Sequence, residues 1–171
     1  MMYRSAYALR GLLIATTVVL LPASVQPQGS KRESLRGIKA LAVVIEDLSP
    51  DTEQAGFQKT QLKTDVEMRL KEKGIQLVSE PQTAGKWDGP ILNVRLQTVK
   101  HDRQNIEAIS IILQLRQKVR LTQKSGAEVL AVTWQSDRLG SVDRAELPLA
   151  RKVLVSMVDG FISDYSAVNP R

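Results

Sequence analysis

RGIKALAVVIEDL, residues 36–48, is the stretch from which the fold can be predicted. From Ile38 to Leu48 the chain is almost entirely apolar and rich in β-branched residues, and the run has the length of a strand rather than a helix. Because polar residues hardly alternate within it, this strand should lie centrally in a sheet or be covered on both faces. The first strand is therefore the expected centre of the domain.

A helix and a second strand are predicted to follow. Ser49 has the character of a helix cap, with Pro50 at the first helical position. Apolar residues then recur at helical spacing as far as Leu70, and Gly74 supplies a left-handed stop. The segment IQLV, residues 75–78, predicts a short strand. A right-handed crossover would make this strand parallel to the first one.

Two longer strands come next. Residues 91–99, ILNVRLQTV, alternate with Leu92, Val94 and Leu96 turned inward. Residues 106–121 also alternate, but a strand of this length would span on the order of 50 Å, which is unusually long. We therefore expect a bend or bulge near Gln117. The first half of this strand should pair with the strand before it and the second half with the strand after it.

The last strand and a long helix complete the pattern. Residues 128–137, EVLAVTWQSD, predict a strand whose inward positions are Leu130, Val132 and Trp134. From Pro148 onward apolar residues recur at three- and four-residue spacing, which predicts an amphipathic helix of about five turns. Asn169 and Pro170 should end this helix.

The predicted order is thus β-α-β-β-β-β-α. Two amphipathic helices can cover only one face of a five-stranded sheet, so the expected fold class is α+β, a two-layer sandwich with a mixed five-stranded sheet and both helices on one face. The opposite face should be open. The predicted organisation is a signal peptide at residues 1–24, a flexible leader at residues 25–36 and a single domain at residues 37–171.

The amino terminus predicts export. Arg4 and Arg10 precede a short apolar region, residues 11–21, and small residues follow it, as in a cleavable signal. The apolar region is shorter than the span of about 20 residues that a bilayer needs. We therefore expect a periplasmic or secreted protein with no stable membrane span after cleavage, although the sequence leaves open whether the signal is cut.

Composition excludes several classes of site. The 171 residues contain no cysteine, so disulfides, thiol nucleophiles and lipid-modified cysteines are excluded. Aromatic residues make up only 4%, which predicts an aliphatic core. Without Arg4 and Arg10, the 24 basic and 18 acidic residues leave a net charge near +4. This moderate charge does not favour nucleic acid as a partner.

Candidate catalytic groups are few. Glu46 and Asp47 follow the first strand, where open α/β sheets often bind ligands, but neighbours along a strand point to opposite faces. His101, the only histidine, lies beside Asp102 in a polar turn that has no nucleophile or metal motif. We predict no catalytic residue, no cofactor and no metal. A small periplasmic hydrolase or transferase using Glu46, Asp47 or His101 is the alternative.

A binding surface is the leading functional interpretation. By alternation the open face carries Arg95, Arg116, Lys118 and Arg120, which suit an envelope protein or an anionic envelope component. The alternative is that these charges bind no partner and only keep an open sheet face solvated. Trp87, in a loop rich in glycine and proline, either packs over the sheet edge or anchors a partner. The oligomeric state stays open.

One stretch resembles a known envelope module. Residues 38–79, IKALAVVIEDL and then a helix ending in VEMRLKEKGIQLV, resemble the opening of the amino-terminal domain of the Tol-system propeller protein TolB and of the periplasmic domain of the curli secretion protein CsgG. The arrangement of two helices on one sheet is also similar to LptE, a subunit of the lipopolysaccharide translocon. The resemblance covers about a quarter of the chain, transfers no functional residue and implies a binding or assembly module rather than an enzyme.

Overall fold

The computed structural model of the chain describes residues 28–79, 89–100, 106–123 and 126–170. Its strands are β1 (Ala40–Ile45), β2 (Gln76–Leu77), β3 (Ile91–Lys100), β4 (Ile106–Arg120) and β5 (Glu128–Asp143). Its α-helices are α1 (Gln28–Glu33), α2 (Pro50–Gln54), α3 (Lys59–Glu72) and α4 (Leu149–Val168), with a 3₁₀ turn at Arg144–Glu146 before α4.

The strands form one mixed sheet in the order β2-β1-β3-β4-β5. Both β2 and β3 run parallel to β1, while β3, β4 and β5 follow one another antiparallel. The predicted mixed five-stranded sheet is confirmed, with the apolar β1 next to its centre. The parallel pairing of β1 and β2 through α3 is confirmed as well.

Helices α3 and α4 cover one face of this sheet, here called the inner face. Alternate residues of β1, β3 and β4 are buried against them, and α4 contributes Leu154, Val158 and Phe161 without exposed surface. Two ion pairs join the helices, Arg69–Asp159 and Arg151–Asp65. Burying one apolar stripe of each helix on one face of the sheet gives the predicted α+β two-layer sandwich.

The single helix predicted after β1 is two helices. Ser49 caps α2 as expected, because its Oγ accepts a hydrogen bond from the amide of Thr52 at 3.3 Å. Gly56, at φ 91°, then breaks the helix in a conformation that residues with a Cβ disfavour. The buried Thr52 hydroxyl in turn accepts the amide hydrogen of Thr98 at 3.1 Å. This bond attaches α2 to β3 and requires the chain to turn again before α3.

The irregularity predicted near Gln117 is confirmed, and it lies one position earlier. Leu115 pairs with Trp134 and Arg116 pairs with Val132, so Thr133 is the extra residue of a β-bulge. The expected division of pairing between the halves of β4 is wrong. Residues 107–116 pair with β3, whereas β5 pairs along the whole of β4.

The bulge also corrects two predicted inward positions. Each residue of a strand faces opposite to its neighbours, so one extra residue turns everything beyond it to the other face. Trp134 is buried as expected, but Leu130 and Val132 lie on the opposite face and are 52% and 45% exposed. The sequence of β5 alone does not show that Thr133 is an insertion, because the bulge is defined by the pairing of β5 with β4.

The described part of the predicted flexible leader is packed on the domain. Residues 28–33 form α1, and Leu35 has no exposed surface. The hydroxyl of Ser34 donates to the carbonyl of Thr133 at 3.0 Å, and Arg32 pairs with Asp164. Residues 32–35 of the predicted leader therefore contact the domain, and Leu35 belongs to its core. The predicted signal peptide, residues 1–24, lies outside the described residues.

Candidate functional site

The face of the sheet turned away from α3 and α4, here called the outer face, carries the predicted partner-binding cations. Residues that face each other in an antiparallel ladder share a face of the sheet. The observed register therefore places four of the five predicted residues on the outer face: Arg95, Arg116, Lys118 and Arg120. The fifth, Trp87, lies outside the described residues.

Arg95 is engaged within the molecule. Its Nε and Nη2 atoms donate to the two carboxylate oxygens of Glu46, the second at 3.1 Å, and the amide of Asn93 donates to the same carboxylate at 2.6 Å. The hydrogen bond from Arg95 lowers the pKa of Glu46 below its ordinary value, against the opposing effect of partial burial. The charge of Arg95 is thus balanced before any partner arrives.

The other three cations differ in how far their charge is balanced. Lys118 and Arg120 share one carboxylate, that of Glu128, at 3.7 Å and 3.3 Å. Arg116 makes no ion pair within the described residues, and its charge helps only weakly to lower the pKa of Glu46, after the larger effect of Arg95. Arg116 is exposed. It is therefore the cation of this face with the least compensated charge.

The outer face is open over only part of its area. Ala42 on β1 has no exposed surface, and Asn93 on β3 is only 5% exposed, although both lie on this face. Exposure is concentrated on β4, β5 and the carboxyl end of β3. The prediction of a wholly open face is therefore corrected to a face that is open over these strands.

The sequence analysis did not predict that aliphatic side chains are exposed on the same face. Besides Leu130 and Val132, Val99 is 63% exposed and Leu139 is 83% exposed. Leu139 lies in a segment of β5 that extends beyond the predicted end of the strand at residue 137. No apolar alternation continues through residues 137–141, and Asp137, Arg138 and Gly140 are typical of a turn, so the sequence contained no signal for this extension.

The two adjacent carboxylates after β1 do not converge. Glu46 is held by Arg95, whereas Asp47 accepts a hydrogen bond from Lys59 at 2.7 Å, which lowers the pKa of Asp47. Their separate partners agree with the predicted alternation. Three cavities formed by described residues, with volumes of about 530, 670 and 400 Å³, are lined by neither carboxylate. His101 lies outside the described residues.

Two further features bear on metals and membranes. Within residues 28–79, 89–100, 106–123 and 126–170, no group of three or more histidine, aspartate or glutamate side chains is arranged to hold a metal ion. No helix in the same ranges combines the length and apolar character needed to cross a bilayer.

Comparison with known proteins identifies no family. No protein-family model matches the chain, and no curated protein matches its sequence. Among solved structures, a dodecameric PelC variant from Paraburkholderia phytofirmans is 15% identical, with a TM-score of 0.47 over 72% of this chain and 87% of that chain. A second PelC dodecamer from the same organism is 14% identical, with a TM-score of 0.42 over 74% of this chain and 87% of that chain. A protein described as uncharacterized is 12% identical, with a TM-score of 0.40 over 74% of this chain and 91% of that chain. Likeness of this degree supports no inference about function or assembly.

Proposed function

We propose that this protein is a non-enzymatic binding or assembly module of the cell envelope, exported to the periplasm, that acts through the outer face of its sheet. The observation that carries the proposal is the one-sided cover of the sheet. Helices α3 and α4 shelter the inner face, while β4 and β5 expose cations and aliphatic side chains together on the outer face. The signal-like residues 1–24 support export.

Within this face, the residues have different roles in the proposal. Arg116 is the central contact for an acidic or anionic partner, because its charge is the least compensated. Lys118 and Arg120 flank it and share Glu128. Arg95 instead positions Glu46 and Asn93, so its substitution would disturb the sheet as well as any binding. Trp87 stays a candidate anchor from the sequence.

The test is capture of partners from native envelopes by a tagged form of the protein after cross-linking. The double variant Arg116→Glu and Arg120→Glu should abolish recovery of the partner, since it reverses two charges of the surface without touching the Arg95–Glu46 pair. The double variant Arg138→Glu and Lys152→Glu is the matched control, because both residues are exposed cations outside the outer face and the net charge changes by the same amount. Circular dichroism and the urea midpoint should show that all variants are folded.

Unchanged recovery with the double variant would count against the outer face as the binding surface. Equal loss with the double variant Arg138→Glu and Lys152→Glu would count against it as well, because the effect would then follow overall charge rather than position.

A further inference from the structure

The β4–β5 hairpin extends beyond the helix layer. Trp134 is almost fully buried, and its ring packs edge-on against Phe161 at 5.1 Å between ring centroids. Beyond the bulge the cover of the inner face decreases: Gln117, Val119 and Ala131 are half-buried, and Val129 is 39% exposed. Residues 116–121 and 127–132, here called the hairpin end, therefore meet solvent on both faces. At about 3.3 Å per residue the hairpin end is on the order of 15 Å long.

Aliphatic side chains are concentrated at the hairpin end. The described residues include nine exposed large hydrophobic side chains, and four of them lie here: Leu121, Val129, Leu130 and Val132. Isolated apolar residues on a surface need no explanation, but a cluster on a projecting element marks a surface that contacts something apolar. Leu130 and Val132 lie on the outer face opposite Lys118 and Arg116, whereas Val129 lies on the other face and Leu121 begins the turn. Aliphatic surface is therefore present on both faces of the hairpin end.

The hairpin end is also basic. Arg116, Lys118 and Arg120 lie on its outer face opposite a single carboxylate, that of Glu128. Its described residues contain no tryptophan, tyrosine or phenylalanine, so it lacks the rings that stack on bases or sugars. Aliphatic side chains bordered by cations instead match the boundary between acyl chains and negatively charged headgroups of a membrane.

The amino-terminal segment joins the domain beside this element. The apolar region of the export signal, residues 11–21, ends a few residues before α1 begins at Gln28. Residues at the end of α1 contact β5 at the bulge: Ser34 bonds to Thr133, and the Lys31 ammonium lies 4.4 Å from the centre of the Trp134 ring. The chain thus enters the domain where the hairpin end begins.

We propose that the hairpin end binds the surface of an anionic phospholipid bilayer, with its cations on lipid phosphates and its leucine and valine side chains at the acyl boundary. The inference rests on the proposed function and names the chemistry of the partner. The inference also gives the aliphatic residues a function, whereas a partner recognised through charge alone would leave them without one.

The test is co-sedimentation of the exported protein, as the cell processes it, with vesicles of phosphatidylcholine alone or with about one quarter phosphatidylglycerol. The protein should sediment with the anionic vesicles only, and about 0.5 M salt should release most of it because salt screens headgroup charge. Arg116→Gln with Arg120→Gln should weaken binding roughly twenty-fold, since each cation near an anionic membrane contributes about five-fold.

Leu130→Ser with Val132→Ser tests the apolar part of the surface and should weaken binding at low and at high salt. The matched control is Arg138→Gln with Leu149→Ser, an exposed cation and an exposed leucine that lie outside the outer face and away from the hairpin end; these changes should leave binding unaltered.

Binding that ignores lipid charge, or that falls equally in the control variant, overturns the inference. Envelope capture of a protein that depends on Arg116, without any vesicle binding, overturns this inference and leaves the proposed function standing. Absence of both vesicle binding and envelope capture overturns the two together.

Discussion

Glu46 and Arg95 are joined at two points across neighbouring strands, each carboxylate oxygen accepting a hydrogen bond from a different guanidinium nitrogen. A pair of this geometry fixes both side chains on the outer face and removes their charges from the surface available to a partner. A partner of the outer face is therefore expected to bind at the hairpin end, which includes Arg116. A cation chosen by alternation alone is not necessarily a free cation.

The first prediction concerns acid sensitivity. The pKa of Glu46 is lowered by the Arg95 hydrogen bond, so this carboxylate stabilises the fold at pH values above its unfolded pKa, near 4.5, and the contribution is lost as the pH falls through the lower folded pKa. Glu46→Gln should lower the urea midpoint at about pH 7, and the difference from the parent protein should shrink towards about pH 3.

Asp137→Asn is the control for this experiment, because the Asp137 carboxylate makes no ion pair within the described residues. It should change the urea midpoint little at either pH. A difference for Glu46→Gln that is the same at both pH values would show that the glutamate contributes through packing rather than charge.

The second prediction tests the helix layer. Leu154 lies on the buried stripe of α4 and has no exposed surface, so Leu154→Ala should lower the free energy of unfolding by about 3 kcal/mol through lost burial and a residual cavity. Lys152→Ala, at an exposed position of the same helix, should change it by less than about 0.5 kcal/mol. Equal effects in urea denaturation would mean that α4 does not dock on the sheet as described.

The third prediction concerns the bulge. The Oγ1 atom of Thr133 accepts a hydrogen bond from the Gln117 amide at 2.7 Å, and the same amide donates to the carbonyl of Ser34 at 2.9 Å. Thr133→Val preserves the shape and removes one acceptor, which should lower the free energy of unfolding by about 1 kcal/mol. The exposed Thr122→Val is the matched control and should be close to neutral. Equal urea midpoints for both variants would exclude a role for this contact in stabilising the bulge.

Local patterns predicted most of the fold because each element carries its own periodicity. The stripe of α4, the alternation of β3 and the stop at Gly74 all depend on residues close together in the chain. The separate partners of Glu46 and Asp47 also followed from simple strand geometry. The type of each helix and strand, and the packing of both helices on one face of the sheet, could therefore be predicted from the sequence.

The features that sequence analysis missed depend on register and on distant contacts. One inserted residue, Thr133, turned Leu130 and Val132 to the outer face, and only the pairing of β4 with β5 reveals it. The packing of Leu35 into the core and the break at Gly56 likewise depend on contacts with residues that are distant in the sequence. The candidate site was thus half predicted: its cations were, and its aliphatic side chains were not.

The fourth prediction contrasts two glycines that follow opposite conformational rules. Gly74 ends α3 at φ 71°, a left-handed conformation in which a Cβ is strained, so Gly74→Ala should lower the free energy of unfolding by about 1 kcal/mol. Gly160 lies inside α4, and a Cβ built there meets no atom within 4 Å. Gly160→Ala should therefore raise the free energy of unfolding by about 0.4–1 kcal/mol, because alanine restricts the unfolded chain and favours the helix. Urea denaturation of the two variants and the parent protein checks the sign of each change in the free energy of unfolding. Each variant is the control for the other. A destabilised Gly160→Ala variant would mean that the surface of α4 at this position is covered in solution, and a neutral Gly74→Ala variant would contradict the left-handed end of α3.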